Sequence, residues 1–254
     1  MSTKIISLPQ VADTAAANYE AELEQAYKSI KNSEIIIAPA ENGYLYLVDA
    51  FDTGAVSNLH KLLNKPDTDL LQVFLPRVST VTGVCSLNLQ PTDSLFKLFT
   101  RCWPGAVSIT MKTQPGLSWN LGTQSNLVNV RVPDQKFLLK LLEQTGPLAV
   151  ASTKMNSSEI NAAIKNNQLA KSGSNINSGN SGNSGSSGIS GSSVRSGSSQ
   201  IMVSLFFDSQ NVNSFPSTII EILTENSIKF VREGAITYEQ IKAWSSELAI
   251  TIVP

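Results

Sequence analysis

From residue 172 to residue 199 the chain is almost entirely serine, glycine and asparagine, and 7 of its 15 glycines fall there, at 173, 179, 182, 185, 188, 191 and 197. No other stretch limits the fold so strongly. A segment this poor in apolar side chains cannot offset the entropy of ordering itself, so 172–199 is expected to be a disordered, solvated insertion. Several of its glycines recur every third residue, but the tract holds no proline, which excludes a collagen-like helix. The β-rich runs after it are too few to build a core alone. They must join what comes before, so one domain spanning 14–250 is expected, with the tract inserted in it.

The rest of the chain supplies that core. It has 254 residues, 41% of them hydrophobic, enough for a sizeable α/β domain. Nineteen basic residues against twenty acidic ones leave a net charge of -1, which argues against a dedicated nucleic-acid coat protein but allows a local basic groove. Cys85 and Cys102 do not have a metal-ligand spacing, so no metal centre is expected. The segment Met1-Ser2-Thr3-Lys4-Ile5-Ile6-Ser7-Leu8-Pro9 lacks the long apolar core of a signal peptide. No run approaches the ~20 apolar residues that span a bilayer. No membrane partner and a cytoplasmic location are the expectation.

Periodicity divides the chain into alternating elements. Residues 18–31 read as a helix with Leu23, Ala26, Tyr27 and Ile30 on one face and Asn18 as its cap. Residues 34–39 read as a buried strand ended by Pro39, 40–43 as a loop, and 44–48 as the next strand. A helix is expected over 54–64, stopped by Pro66, and a strand over 70–75. A further helix is expected over 91–103, capped by Thr92. Strands are read at 106–112, 127–132 and 148–152, with a helix at 134–145 closed by Gly146 and another at 158–167. Beyond the tract, strands are expected at 201–207, 217–223 and 228–231. A last helix begins at the capping box Thr237-Tyr238-Glu239-Gln240. Strands joined by both short connections and helices predict an α/β (α+β) domain on a large, open, twisted mixed sheet flanked by helices.

Common catalytic signatures are absent. There is no phosphate-binding glycine loop, dinucleotide fingerprint or zinc-protease helix. His60 is the single histidine, and no nucleophile elbow accompanies it. Phosphoryl and nucleotidyl transfers suit such a chain, because they rest on positioning and on cations that neutralise phosphate. Lys65, Arg131, Lys154 and Arg232 each fall at the end of an expected strand or helix, where ligand crevices form. Ser152 and Ser217 lie at strand ends too.

Five elements then occur in order: Trp103-Pro104-Gly105-Ala106-Val107-Ser108, Val130-Arg131-Val132-Pro133, Pro147-Leu148-Ala149-Val150-Ala151-Ser152, Ser217-Thr218-Ile219-Ile220 and Val231-Arg232-Glu233-Gly234. Their succession resembles the YrdC-like family of threonylcarbamoyl-AMP synthases, over roughly residues 18–245 apart from the tract. The resemblance implies a concave, positively lined cavity in a single YrdC-like domain. It implies condensation of L-threonine, bicarbonate and ATP, with Mg2+, into threonylcarbamoyl-AMP and pyrophosphate. A partner tRNA-modification enzyme then passes the threonylcarbamoyl group to tRNA. Some relatives are known only as binders of double-stranded RNA, so the alternative is a relative without synthase activity that holds a nucleotide or RNA in the same cavity.

Carried over residue by residue, the resemblance gives Lys65, Ser152 and Lys154 as catalytic positions and Asn42, Tyr44, Arg131, Ser217 and Arg232 as substrate or nucleotide positions. The chain departs from the family at several of them. Where the family has P-T-D-T-x-Y-G-L, this chain reads Pro39-Ala40-Glu41-Asn42-Gly43-Tyr44-Leu45-Tyr46. Where it has K-x-R-P, this chain reads Leu63-Asn64-Lys65-Pro66. The asparagine of S-x-N is Lys154. A lysine supplies charge but not the planar two-point grip of an arginine.

Overall fold

The computed structural model describes residues 3–8, 17–117, 119, 121, 126–166, 168–169, 203–209 and 215–253. The Ser/Gly/Asn tract lies outside the described residues, and so does the side chain of Asn18, the expected cap of the first helix. In chain order the elements are β1 (Lys4–Ser7), α1 (Ala17–Lys31), β2 (Ile35–Ala40), β3 (Gly43–Asp49), α2 (Thr53–Leu63), β4 (Gln72–Phe74), a 3-10 turn (Val78–Thr80), α3 (Val81–Val84), α4 (Ser94–Cys102), β5 (Val107–Lys112), β6 (Leu127–Arg131), α5 (Lys136–Thr145), β7 (Leu148–Ser152), α6 (Ser157–Lys165), β8 (Val203–Asp208), β9 (Thr218–Thr224), β10 (Ser227–Arg232), α7 (Tyr238–Glu247) and β11 (Thr251–Val253).

Among the described residues all eleven strands form one mixed sheet, in the order β1-β8-β2-β3-β7-β4-β6-β5-β9-β10-β11. The chain beyond the tract re-enters this sheet twice. β8 lies between β1 and β2 and parallel to both, and β9 lies parallel to β5. A strand with neighbours on both edges and apolar matter on both faces reads as a continuous hydrophobic run, and all six residues of β2 are buried. Its side chains alternate between two cores. Ile35 and Ile37 join a larger cluster with α2 and α4. Ile36 and Ala38 join a smaller one with Ala26 and Ile30 of α1 and with Phe137, Leu138, Leu141 and Leu142 of α5. Burial of side chains of this size stabilises by roughly 1.5–3 kcal/mol each.

Local expectations fail where a neighbour overrides them. Pro39 does not end β2, which runs on to Ala40. Tyr44 accepts from the Thr153 N–H at 3.0 Å, on its β7 side. Its partner Pro39 therefore faces it as a non-hydrogen-bonded pair, where the missing N–H costs nothing to β3. Pairing with β8 has already ended at Ile37. Thr92 does not cap α4: the N-cap is Asp93, and the Asp93 side chain instead accepts from the Gln90 N–H at 2.7 Å. α5 begins two residues later than expected, where Gln135 Oε1 accepts from the Leu138 N–H. The Asn156–Glu159 and Thr237–Gln240 pairs both close reciprocal capping boxes. β1 and β11 carry no sequence signal, being four and three residues long and mostly exposed.

Candidate functional site

The middle strands of the sheet end in a cleft of about 760 Å3. Its polar lining comes from strand ends and strand interiors, and its apolar wall includes Leu62 and Leu63 from α2. Of the eight residues named from the sequence, Asn42, Lys65, Ser152, Lys154, Ser217 and Arg232 line this cleft. Tyr44 and Arg131 do not; the structure places both in the interior beside it.

The two inward residues hold the cleft's rim in place. Arg131 is fully buried. Its Nε donates to Gly105 O at 2.7 Å, and its Nη1 to Asn42 Oδ1 at 3.1 Å. Its Nη2 pairs with the Glu41 carboxylate, which also accepts from the Asp134 N–H. Burial pulls the guanidinium pKa down and the Glu41 carboxylate opposes that. One side chain thus joins the β2–β3 turn, the Trp103-Pro104-Gly105 turn and the approach to α5. The single Tyr44 hydroxyl hydrogen is shared between Asp208 Oδ1 at 2.8 Å and Ser209 O at 2.6 Å, and the hydroxyl oxygen accepts from the Ser209 N–H at 3.1 Å. Burial first, then the Asp208 carboxylate, pushes its pKa up to about 12, so it remains a neutral hydroxyl.

Charge in the cleft has one sign. None of its lining residues is acidic. Lys65 shares an exposed pair with Asp69 at 3.4 Å, which solvent screens to little value. Among the described residues neither Lys154 nor Arg232 forms an ion pair. Lys154 sits at φ 56°, a left-handed conformation that costs a lysine about 1–2 kcal/mol. Its own N–H donates to Ser152 Oγ at 3.1 Å. Arg232 donates to Ser217 O at 2.8 Å. Gly234, two residues on, exists as glycine for contact reasons: a Cβ there would lie 2.3 Å from Pro216 O and 2.5 Å from Ser217 C. The Val231-Arg232-Glu233-Gly234 element therefore packs directly under the Ser217 backbone.

The same cleft is lined by Gln72, Ser108 and Asn129, uncharged polar residues that the sequence did not single out. Gln72 Nε2 donates to Ser108 Oγ and to Asn129 Oδ1, both at 2.6 Å. Asn129 Nδ2 donates to Thr110 Oγ1 and Ser108 Oγ donates to Ser217 Oγ, both at 2.8 Å. The available signal was a polar residue inside each of three apolar strands: Leu71-Gln72-Val73, Val107-Ser108-Ile109 and Val128-Asn129-Val130.

The comparisons with known proteins agree with this architecture. The Sua5/YciO/YrdC family model, described as Telomere recombination, matches residues 28–201. The chain is 27% identical over 149 residues to a threonylcarbamoyl-AMP synthase of Mus musculus, covering 58% of this chain and 51% of that protein. Against the Homo sapiens synthase it is 26% identical over 149 residues, covering 58% and 52%. The chain thus spans about half the length of these curated relatives. Among solved structures, E. coli YciO matches with a TM-score of 0.67 at 17% identity, covering 95% of this chain and all of that one. P. abyssi Sua5 complexed with L-threonine matches with a TM-score of 0.69 at 16% identity, covering all of this chain and 63% of that one. At such identities the structural likeness speaks for the fold alone. Since the family model spans well over half of its residues, the chain belongs to the Sua5/YciO/YrdC family.

Proposed function

We propose that the cleft carries out a threonylcarbamoyl-AMP synthase-like reaction on ATP, bicarbonate and L-threonine. The observation that carries this reading is the cleft itself, where Lys65, Lys154 and Arg232 converge and no lining side chain is acidic. The curated relatives named for that activity point the same way. In the reaction the amino group of threonine adds to the carbon of bicarbonate with loss of water. The resulting carbamate oxygen attacks the α-phosphorus of ATP, and pyrophosphate leaves. Both steps gather negative charge and neither needs a histidine base. The side chains' part is to neutralise and orient. Arg232 and Ser217 would hold the nucleotide, while Ser152, Lys65 and Lys154 would orient the carbamate and the phosphates. Asn42 would add a donor at the rim, since Arg131 already engages its Oδ1 and leaves its Nδ2 for the cleft. Mg2+ would arrive on the triphosphate oxygens, its usual mode of binding. The product would be consumed by an enzyme that modifies tRNA.

One observation favours a second reading. Leu63 puts an apolar side chain on the cleft wall where the family resemblance expects a lysine. That change suits a relative that keeps the nucleotide and takes another amino acid, or none. Pyrophosphate and AMP release by the purified protein, given ATP, bicarbonate and Mg2+ with and without L-threonine, separates the two. Threonine-dependent pyrophosphate release is the expected result. ATP binding without release overturns the synthase reading and leaves the second.

A further inference from the structure

We infer that Gln72, at the floor of the cleft, is a specificity-determining residue that accepts a hydrogen bond from an amino group on the ligand's base, the 6-amino group of an adenine-type purine. The inference rests on the nucleotide reading above and adds what that reading leaves open: how the cleft would tell one nucleotide from another.

The hydrogen-bond inventory of the floor decides the matter. A glutamine side chain carries two amide hydrogens and one carbonyl oxygen with two lone pairs. Both hydrogens of Gln72 are used within the protein, one on Ser108 Oγ and one on Asn129 Oδ1. Its Oε1 accepts from no described residue, yet the residue lines the cleft and is only half-buried. The amide is thus clamped through its nitrogen and presents only an acceptor. The clamp is itself braced, because Asn129 is held by Thr110 and Ser108 by Ser217. Asn129 has one amide hydrogen engaged by Thr110 and one left over. The floor therefore offers a fixed acceptor beside a donor, with no charge on either.

An uncharged acceptor–donor pair is poor at holding phosphate, which Lys65, Lys154 and Arg232 on the same cleft would take. It suits the edge of an adenine, where an exocyclic amine donates next to a ring nitrogen that accepts. Leu70 and Leu71 on the adjoining wall supply apolar surface for the face of the ring. A ligand lacking the amine would leave the Gln72 oxygen without a partner, which is the arrangement that discriminates most strongly between analogues.

The test compares ATP with purine riboside 5′-triphosphate, which lacks only the 6-amino group, and uses inorganic tripolyphosphate as a control. Binding is measured calorimetrically on the full chain and on Gln72→Leu, with circular dichroism to check folding. The wild-type chain should favour ATP over the purine analogue by about tenfold, and Gln72→Leu should bring that ratio close to one. Should Gln72→Leu fail to fold, the unbranched Gln72→Met serves in its place. Equal binding of ATP and the analogue by the wild-type chain, or a ratio that survives the substitution, overturns the assignment while leaving the nucleotide reading intact. Binding of tripolyphosphate but of neither nucleotide overturns it and reduces the cleft to a phosphate site. Binding of none of the three removes the nucleotide reading and this inference together.

Discussion

Arg131 shows how one residue can stabilise a site without entering it. Removing its charge alone leaves the Glu41 carboxylate beside the turn without its counter-ion and frees the Gly105 carbonyl. Arg131→Met is therefore expected to lower stability by about 3–5 kcal/mol. Adding Glu41→Gln should recover part of that loss in a urea-denaturation cycle; a double variant whose loss is the plain sum of the two single losses would show that the pair is not coupled. His60 behaves in the opposite way. It is 1% exposed and both ring nitrogens lack partners among the described residues. Burial lowers its pKa; Asp67 and Asp69 act against that, and Lys65 reinforces it slightly. The unfolded chain, with a histidine pKa of about 6.5, then binds its proton before the folded chain does. Stability should fall as pH drops below that value toward the folded one. His60→Leu should flatten this part of the stability–pH curve, and an unchanged slope would assign it to other groups. At this scale the sequence showed which residues could carry charge or bond at strand ends. It did not show which way they point: Lys154 and Arg232 face the cleft, while Arg131, equally at a strand end, turns inward to an acid on another hairpin.

Among the elements, the legible ones owe little to distant partners. The leucine-rich faces of α2 and α5, the alternation in β5 and the capping box of α7 are local patterns, and each appears close to its expected span. What escaped reading depends on neighbours. Pro39 stays in β2 because of the pair it makes with Tyr44, and Asp93 displaces Thr92 as the cap of α4. The turn carrying Gly234 makes a prediction of this kind. A methyl group there collides with backbone atoms of Pro216, Ser217 and Thr218, none of which can rotate away as a side-chain tip would. Gly234→Ala should therefore destabilise the chain by about 1–3 kcal/mol and weaken ligand binding through Ser217 and Arg232. Thermal melts and nucleotide titrations would show both effects; loss of stability with intact binding would place the strain elsewhere.

For the whole molecule, the sheet order was the least readable feature. β8 and β9 follow one another in sequence yet lie seven places apart in the sheet, and no local pattern encodes pairing at such separation. The mixed character of the sheet was legible from the connection lengths alone. Integration of β8 has a mechanical corollary. Phe206 is fully buried and its ring meets Tyr44 edge-on at 5.4 Å. Phe206→Ala should cost about 3–5 kcal/mol and should lower the denaturation midpoint for tryptophan fluorescence and far-ultraviolet dichroism together. Separate transitions by the two probes would mean that the strands beyond the tract unfold as an independent unit.

The shortness of β1 and β11 has a consequence for the protein in a crowded solution. An open sheet ends in two rows of unpaired amides and carbonyls, a template on which another chain can add a strand. Here the outermost described strands are only four and three residues long, so each rim offers few sites for such growth. The broad central strands, which would be the dangerous templates, are enclosed on both sides.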